Sequence, residues 1–155
     1  MAKKKLVKDM TTQQRRTRQH KTNADSPLWR RKALSMWSEM VRLLASYECE
    51  LCKAPASEVQ LQAHHLLPKE RYQWLMFAPI NGVCLCTQCH KHSRYAAHRN
   101  PIFFAVWLKA NQPEKYKWVL QHVHDEVQKS VVFQRAYNYL YARALALGWD
   151  PARKT

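Results

Sequence analysis

Cys49-Glu50-Leu51-Cys52, then Ala63-His64-His65-Leu66-Leu67-Pro68, then Asn81-Gly82-Val83-Cys84-Leu85-Cys86-Thr87-Gln88-Cys89-His90: these three segments decide how the chain is read. Two Cys-x2-Cys pairs bracket a double histidine and an asparagine, and the second pair runs directly into another histidine. Cysteine pairs at this spacing suit one closed tetrahedral site, so Cys49, Cys52, Cys86 and Cys89 are the candidate ligands of a structural Zn2+. Four ordinary buried thiols are the plainer alternative. Cys84, two residues before Cys86, reads as an ordinary strand cysteine. A structural zinc site makes no use of His64, His65, Asn81 and His90. Those are residue types that a second, catalytic metal site needs.

The composition around this stretch narrows the class. At 155 residues the chain can bury the core of one domain, and six Trp, seven Tyr and four Phe supply bulky material for it. Gly82 and Gly148 are the two glycines, which argues against a Gly-rich phosphate loop and against a turn-rich all-β fold. No apolar run approaches the roughly 18 residues that a membrane span needs. The N-terminus is basic with no apolar segment behind it, unlike a secretory signal. Five cysteines without an export signal point to a reducing, cytoplasmic setting, where thiols serve as metal ligands more readily than as disulfides.

Net charge is +15 and the sequence pI is about 9.9. Residues 1–32 hold eleven Lys/Arg against two Asp, so an excess of nine positive charges sits in the first fifth of the chain. Such a block is a footprint of nucleic-acid binding, with a solubilising tail as the bland alternative. Residues 1–25 lack apolar periodicity and are expected to form a flexible basic arm, with Lys3, Lys4, Lys5, Arg15, Arg16 and Arg18 as candidate phosphate contacts.

Residues 26–155 read as a single domain with a core at 47–99 and a helical extension at 100–148. Ser26-Pro27 predicts a helix start. Trp29, Ala33, Trp37, Met40, Val41 and Leu44 then form one apolar stripe to about Ser46, which is core packing in character. Glu58–His65 alternates, predicting a strand with Val59, Leu61 and Ala63 on its buried face. A loop over 69–78, a second strand over 80–85 and a helix from Thr87 to about Ala97 follow. Asn100-Pro101 restarts a helix with Phe103, Phe104, Trp107 and Leu108 on its apolar face, and Asn111 and Pro113 break it. Tyr116–Val123 reads as a short helix. A long helix is expected over about 125–147, with Val127, Val131, Tyr137, Leu140, Ala144 and Leu147 on one side and Gly148 as its cap.

The motif set resembles the HNH endonucleases of the ββα-metal fold, most closely the small phage-type members that carry a four-cysteine zinc. The resemblance covers about 42 residues, Cys49–His90. It is extended, less diagnostically, by the helix before it and by the Asn100–Leu108 segment after it. It implies an α+β, mainly helical fold: a ββα-metal core with a zinc knuckle pair, an N-terminal helix and C-terminal helices. It implies a metal-dependent endonuclease hydrolysing phosphodiesters of duplex or branched DNA, in a bacterial host cytoplasm if phage-encoded. By this resemblance His64 and His90 ligate the catalytic cation, His65 is the general base that deprotonates water, and Asn81 holds the base region in place.

Elementary geometry agrees that neighbouring strand residues face opposite ways, so His64 and His65 cannot share one task. The chain departs from the family where many members carry another histidine four residues after the last one; here that residue is Arg94. Arg94 is either a phosphate clamp or a solvated helix residue. With two protein ligands, the open shell suits Mg2+ or Mn2+. His20, His92, His98, His122 and His124 lack a constellation and read as surface or packing residues, while Lys69 and Arg71 are either backbone contacts to DNA or solvated loop residues. The competing function is a non-catalytic zinc-stabilised nucleic-acid-binding protein, which would have no need of the His64, His65, Asn81 and His90 set. A protein-interaction zinc module is disfavoured by the charge.

Overall fold

The structure, a computed structural model, describes residues 23–125 and 130–152. Helix α1 spans Pro27–Leu44, opened by Ser26, whose hydroxyl accepts from Trp29 N at 3.4 Å. Its buried residues Ala33, Met36, Trp37, Met40 and Val41 repeat at three- and four-residue spacing, as one helix face requires. The chain leaves α1 through Ser46 and Tyr47, both in the left-handed region (φ 54° and 56°). A tight knuckle follows, with Cys49 N donating to Ala54 O and Lys53 N donating to Cys49 O, each at 2.8 Å.

Strands β1 (Leu61–His65) and β2 (Gly82–Cys86) form a two-stranded antiparallel sheet with Leu61 opposite Cys86 and His65 opposite Gly82. All of β2 is buried, as expected of a strand covered on both faces. Helix α1 lies on both strands. After β2 come a single π-helical turn (Gln88–His92) and then helices α2 (Pro101–Asn111), α3 (Pro113–His122) and α4 (Phe133–Ala146). Helix α4 packs along α1, and α2 against α3. The half-buried Glu39 carboxylate ties α1 to the end of the chain: it accepts from Arg42, from Tyr47 OH at 2.7 Å and from Trp149 Nε1 at 3.0 Å. Burial alone would raise its pKa; these hydrogen bonds outweigh burial and hold it below the ordinary value.

The protein is therefore α+β and mainly helical, and no helix among the described residues is long and apolar enough to cross a membrane. Several expected boundaries move. Strand β1 begins at Leu61 rather than Glu58, because Glu58 N and Val59 N both donate to Pro55 O and form a turn. Strand β2 begins at Gly82, and Ile80 and Asn81 belong to a 3₁₀ turn. In place of a helix from Thr87 to Ala97 stands one π-turn followed by irregular turns. The long helix begins at Phe133, with Val131 ahead of it and Val127 outside the described residues.

Leu44 is half exposed, whereas Met36, absent from the expected stripe, is buried. Of the expected basic arm, residues 1–22, with Lys3, Lys4, Lys5, Arg15, Arg16 and Arg18, lie outside the described residues. Residues 23–25 are ordered against α4: Asp25 Oδ1 accepts from Phe133 N, and Ala24 O accepts from Gln134 N.

Candidate functional site

Four cysteines meet at the end of the sheet. The first knuckle brings Cys49 and Cys52, the end of β2 brings Cys86, and the π-turn brings Cys89; all four sulfurs lie within 4.8 Å of one another. The Cys52 and Cys86 sulfurs are 3.8 Å apart, the edge expected for a tetrahedron with Zn–S bonds of about 2.3 Å. The knuckle is docked on β2 by Glu50, whose N–H donates to Cys84 O and whose carboxylate accepts from Cys84 N and from Lys115 on α3. Burial and then the neighbouring sulfurs of Cys86, Cys49 and Cys52 push the Cys89 thiol up. Four such sulfurs cannot all be thiolates without a cation between them. The donor set thus fits one zinc ion. Cys84 is not part of the cluster; burial first, then Glu50 and Cys49, push its thiol up to about 12, which leaves it an inert strand residue.

A second cluster adjoins the first, since His90 follows Cys89 in the π-turn. His64 from β1, His90 from the π-turn and His98 offer ring nitrogens within 4.8 Å of one another. His90 Nε2 stands 3.1 Å from His64 Nδ1 and 3.0 Å from His98 Nε2. His90 Nδ1 faces the side-chain oxygen of Gln62 at 2.6 Å; that oxygen only accepts, so Nδ1 carries the proton and Nε2 presents its lone pair. One lone pair cannot satisfy two facing imidazole nitrogens at once. A cation at about 2.1 Å from each would, since cis or tetrahedral ligands then sit about 3.0–3.4 Å apart. Burial, then the charges of His90, His98 and His65, push the His64 imidazole down to about 3. Burial, then His98 and Lys91, push His90 down to about 4. Both are therefore held neutral, the form that ligates metal.

His98 is the residue that reading the sequence missed. The wide turn after Cys89 returns the chain on itself: Ala97 N donates to Cys89 O and His98 N to His90 O. On a helix two residues eight apart would stand about 12 Å apart along the axis, so only this turn brings the triad together. His92 and Arg94 do not join it. Both are exposed, and the Arg94 guanidinium lies 4.5 Å from the Tyr95 ring centre.

His65 adjoins the triad but not as a ligand. Its Nε2 lies 2.9 Å from Met76 O; a carbonyl only accepts, so Nε2 carries the proton and Nδ1 is left basic. The Trp37 ring stacks on the imidazole at 3.7 Å and 13°, and Trp37 Nε1 is itself tied to Ala78 O. Burial lowers the His65 pKa, as does Lys69, against the opposing pull of the Met76 carbonyl and Glu70. Asn81 is fully buried; its oxygen accepts from Leu67 N at 2.7 Å and its amide donates to Leu67 O and Leu75 O at 3.2 Å. It thereby clamps both ends of the loop between His65 and β2.

His64, His65, His90 and His98 all line one cleft, with Lys69 on it as well. The chain matches no model of a known protein family, no curated protein and no solved structure.

Proposed function

We propose that the protein is a metal-dependent DNA endonuclease of the HNH type. In this reading β1, β2 and the π-turn are its ββα-metal core, and Cys49, Cys52, Cys86 and Cys89 hold its structural zinc. The single observation that carries the reading is the juxtaposition in one cleft of three imidazole nitrogens within 4.8 Å of one another with a further histidine, His65, whose Nε2 is engaged by Met76 O. His64, His90 and His98 hold the divalent cation; when bound, it supplies a positive charge against a phosphate oxygen. His65 takes the proton of the attacking water through Nδ1. The Met76 carbonyl fixes the tautomer of that base, the Trp37 ring fixes its plane, and Asn81 holds the loop around it. The excess of positive charge draws the polyanion to the surface.

A third imidazole changes the expectation for the cation. Imidazole donors suit Ni2+ or Zn2+ better than Mg2+, whose preferred shell is oxygen, and Mn2+ stands between them. Incubation with supercoiled plasmid and each of these ions tests the reading. Nicked or linear product is expected, and His65→Ala should lower the rate by about 10²–10⁴ while leaving DNA binding nearly intact. No product with any ion would leave a zinc-stabilised nucleic-acid-binding protein, and cleavage by His65→Ala at the wild-type rate would remove the proposed base.

A further inference from the structure

The histidine triad lines a cleft of about 590 Å3. Its apolar walls include Phe104, Ala105 and Leu108 of α2 and Tyr116 and Val119 of α3, and Lys69 and Glu70 of the loop after β1 also line it. Phe104 is fixed at the base, its ring edge-on to His64 at 5.4 Å and stacked on Trp107. A cation, a water and a phosphate group have no use for apolar walls. The volume falls in the range of roughly 300–1,000 Å3 typical of pockets that enclose a small organic ligand.

We propose that this cleft receives an unpaired nucleobase of the strand whose phosphate lies at the triad; the inference rests on the nuclease reading above. A nucleobase is the planar, largely apolar part of the polymer and is covalently tethered to the phosphate. Aromatic and aliphatic walls take such a ring without regard to its identity. Lys69 lines the same cleft and would be the residue to pair with the backbone phosphate. A base inside a continuous duplex is stacked and paired, and entry would require unstacking it. The preferred DNA therefore carries an unpaired nucleotide at the cleavage position, in a gap, flap or single strand.

The test uses the full chain and four fluorescein-labelled DNAs: a continuous duplex, the same duplex with a one-strand gap, the gapped DNA with a tetrahydrofuran abasic residue opposite the gap, and one with 2-aminopurine there. Anisotropy with the His65→Ala protein in Mn2+ reads affinity without cleavage. The gapped DNA should bind at least about tenfold more tightly than the duplex, the abasic residue should remove that gain, and 2-aminopurine emission should change on binding. Ala105→Trp, which fills the cleft from an exposed position, should erase the preference while Mn2+ still binds with wild-type affinity by calorimetry. Equal affinity of the His65→Ala protein for gapped and abasic DNA overturns the proposal, and plasmid cleavage by the wild type would then still stand. Base-dependent binding with no cleavage of any DNA would retain the cleft and discard the nuclease.

Discussion

At His90 the two ring nitrogens have different partners, and Gln62 sets which does what. With Nδ1 donating to the Gln62 oxygen, Nε2 is left to meet His64 and His98. Outer partners of this kind are worth about 10–100-fold in metal affinity. Calorimetric titration of the zinc-loaded protein with Mn2+ should thus show Gln62→Leu weakened by that order and Gln62→Glu close to wild type. In the same titration His98→Ala should lose as much as His64→Ala, whereas His92→Ala should bind normally. Wild-type affinity in His98→Ala would return the site to the two ligands that the sequence suggests. That difference could not be read from the chain, because a residue eight positions after His90 reaches it only through the backbone pairing of the turn.

The elements whose end signals are local were legible: Ser26-Pro27 for α1, Asn100-Pro101 for α2 and Gly148, in the left-handed region at φ 83°, just past α4, whereas Pro113, read as a breaker, is the first residue of α3. The start of α4 was not, because its first N–H groups are met by Asp25 and Ala24, some hundred residues earlier. The same limit hid the reason for Gly82. The sequence places it inside the second strand, and its φ is an ordinary extended −119°, so no turn calls for a glycine there. What requires glycine is α1: a Cβ at residue 82 would stand 2.3 Å from Val41 Cγ2 and 3.0 Å from the Trp37 ring. Gly82→Ala should therefore push α1 off the sheet and cost about 1–3 kcal/mol in denaturant unfolding. Because Trp37 stacks on His65, activity should fall more than the lost stability explains. An alanine variant as stable as wild type would show that α1 yields without cost.

For the molecule as a whole, the sheet is two strands of five residues, held from one side by α1, and a zinc ion among the four cysteines would tie the first knuckle and the π-turn to its end. Metal analysis should find about one tightly held Zn2+ per chain, and Cys86→Ala should lose it together with cooperative unfolding. A wild-type chain that is metal-free after chelation and still melts as before would refute the structural zinc. The sulfur cluster and the imidazole cluster are joined by a single peptide bond, since Cys89 belongs to one and His90 to the other. Dependence between them should then run in one direction. Withdrawing an ion from the imidazoles should leave the π-turn anchored, and adding the ion back should restore that site at once. Withdrawing the ion from the sulfurs frees Cys89 and carries His90 out of register with it, so the second loss should be repaired only by refolding around zinc, however much of the other cation is supplied.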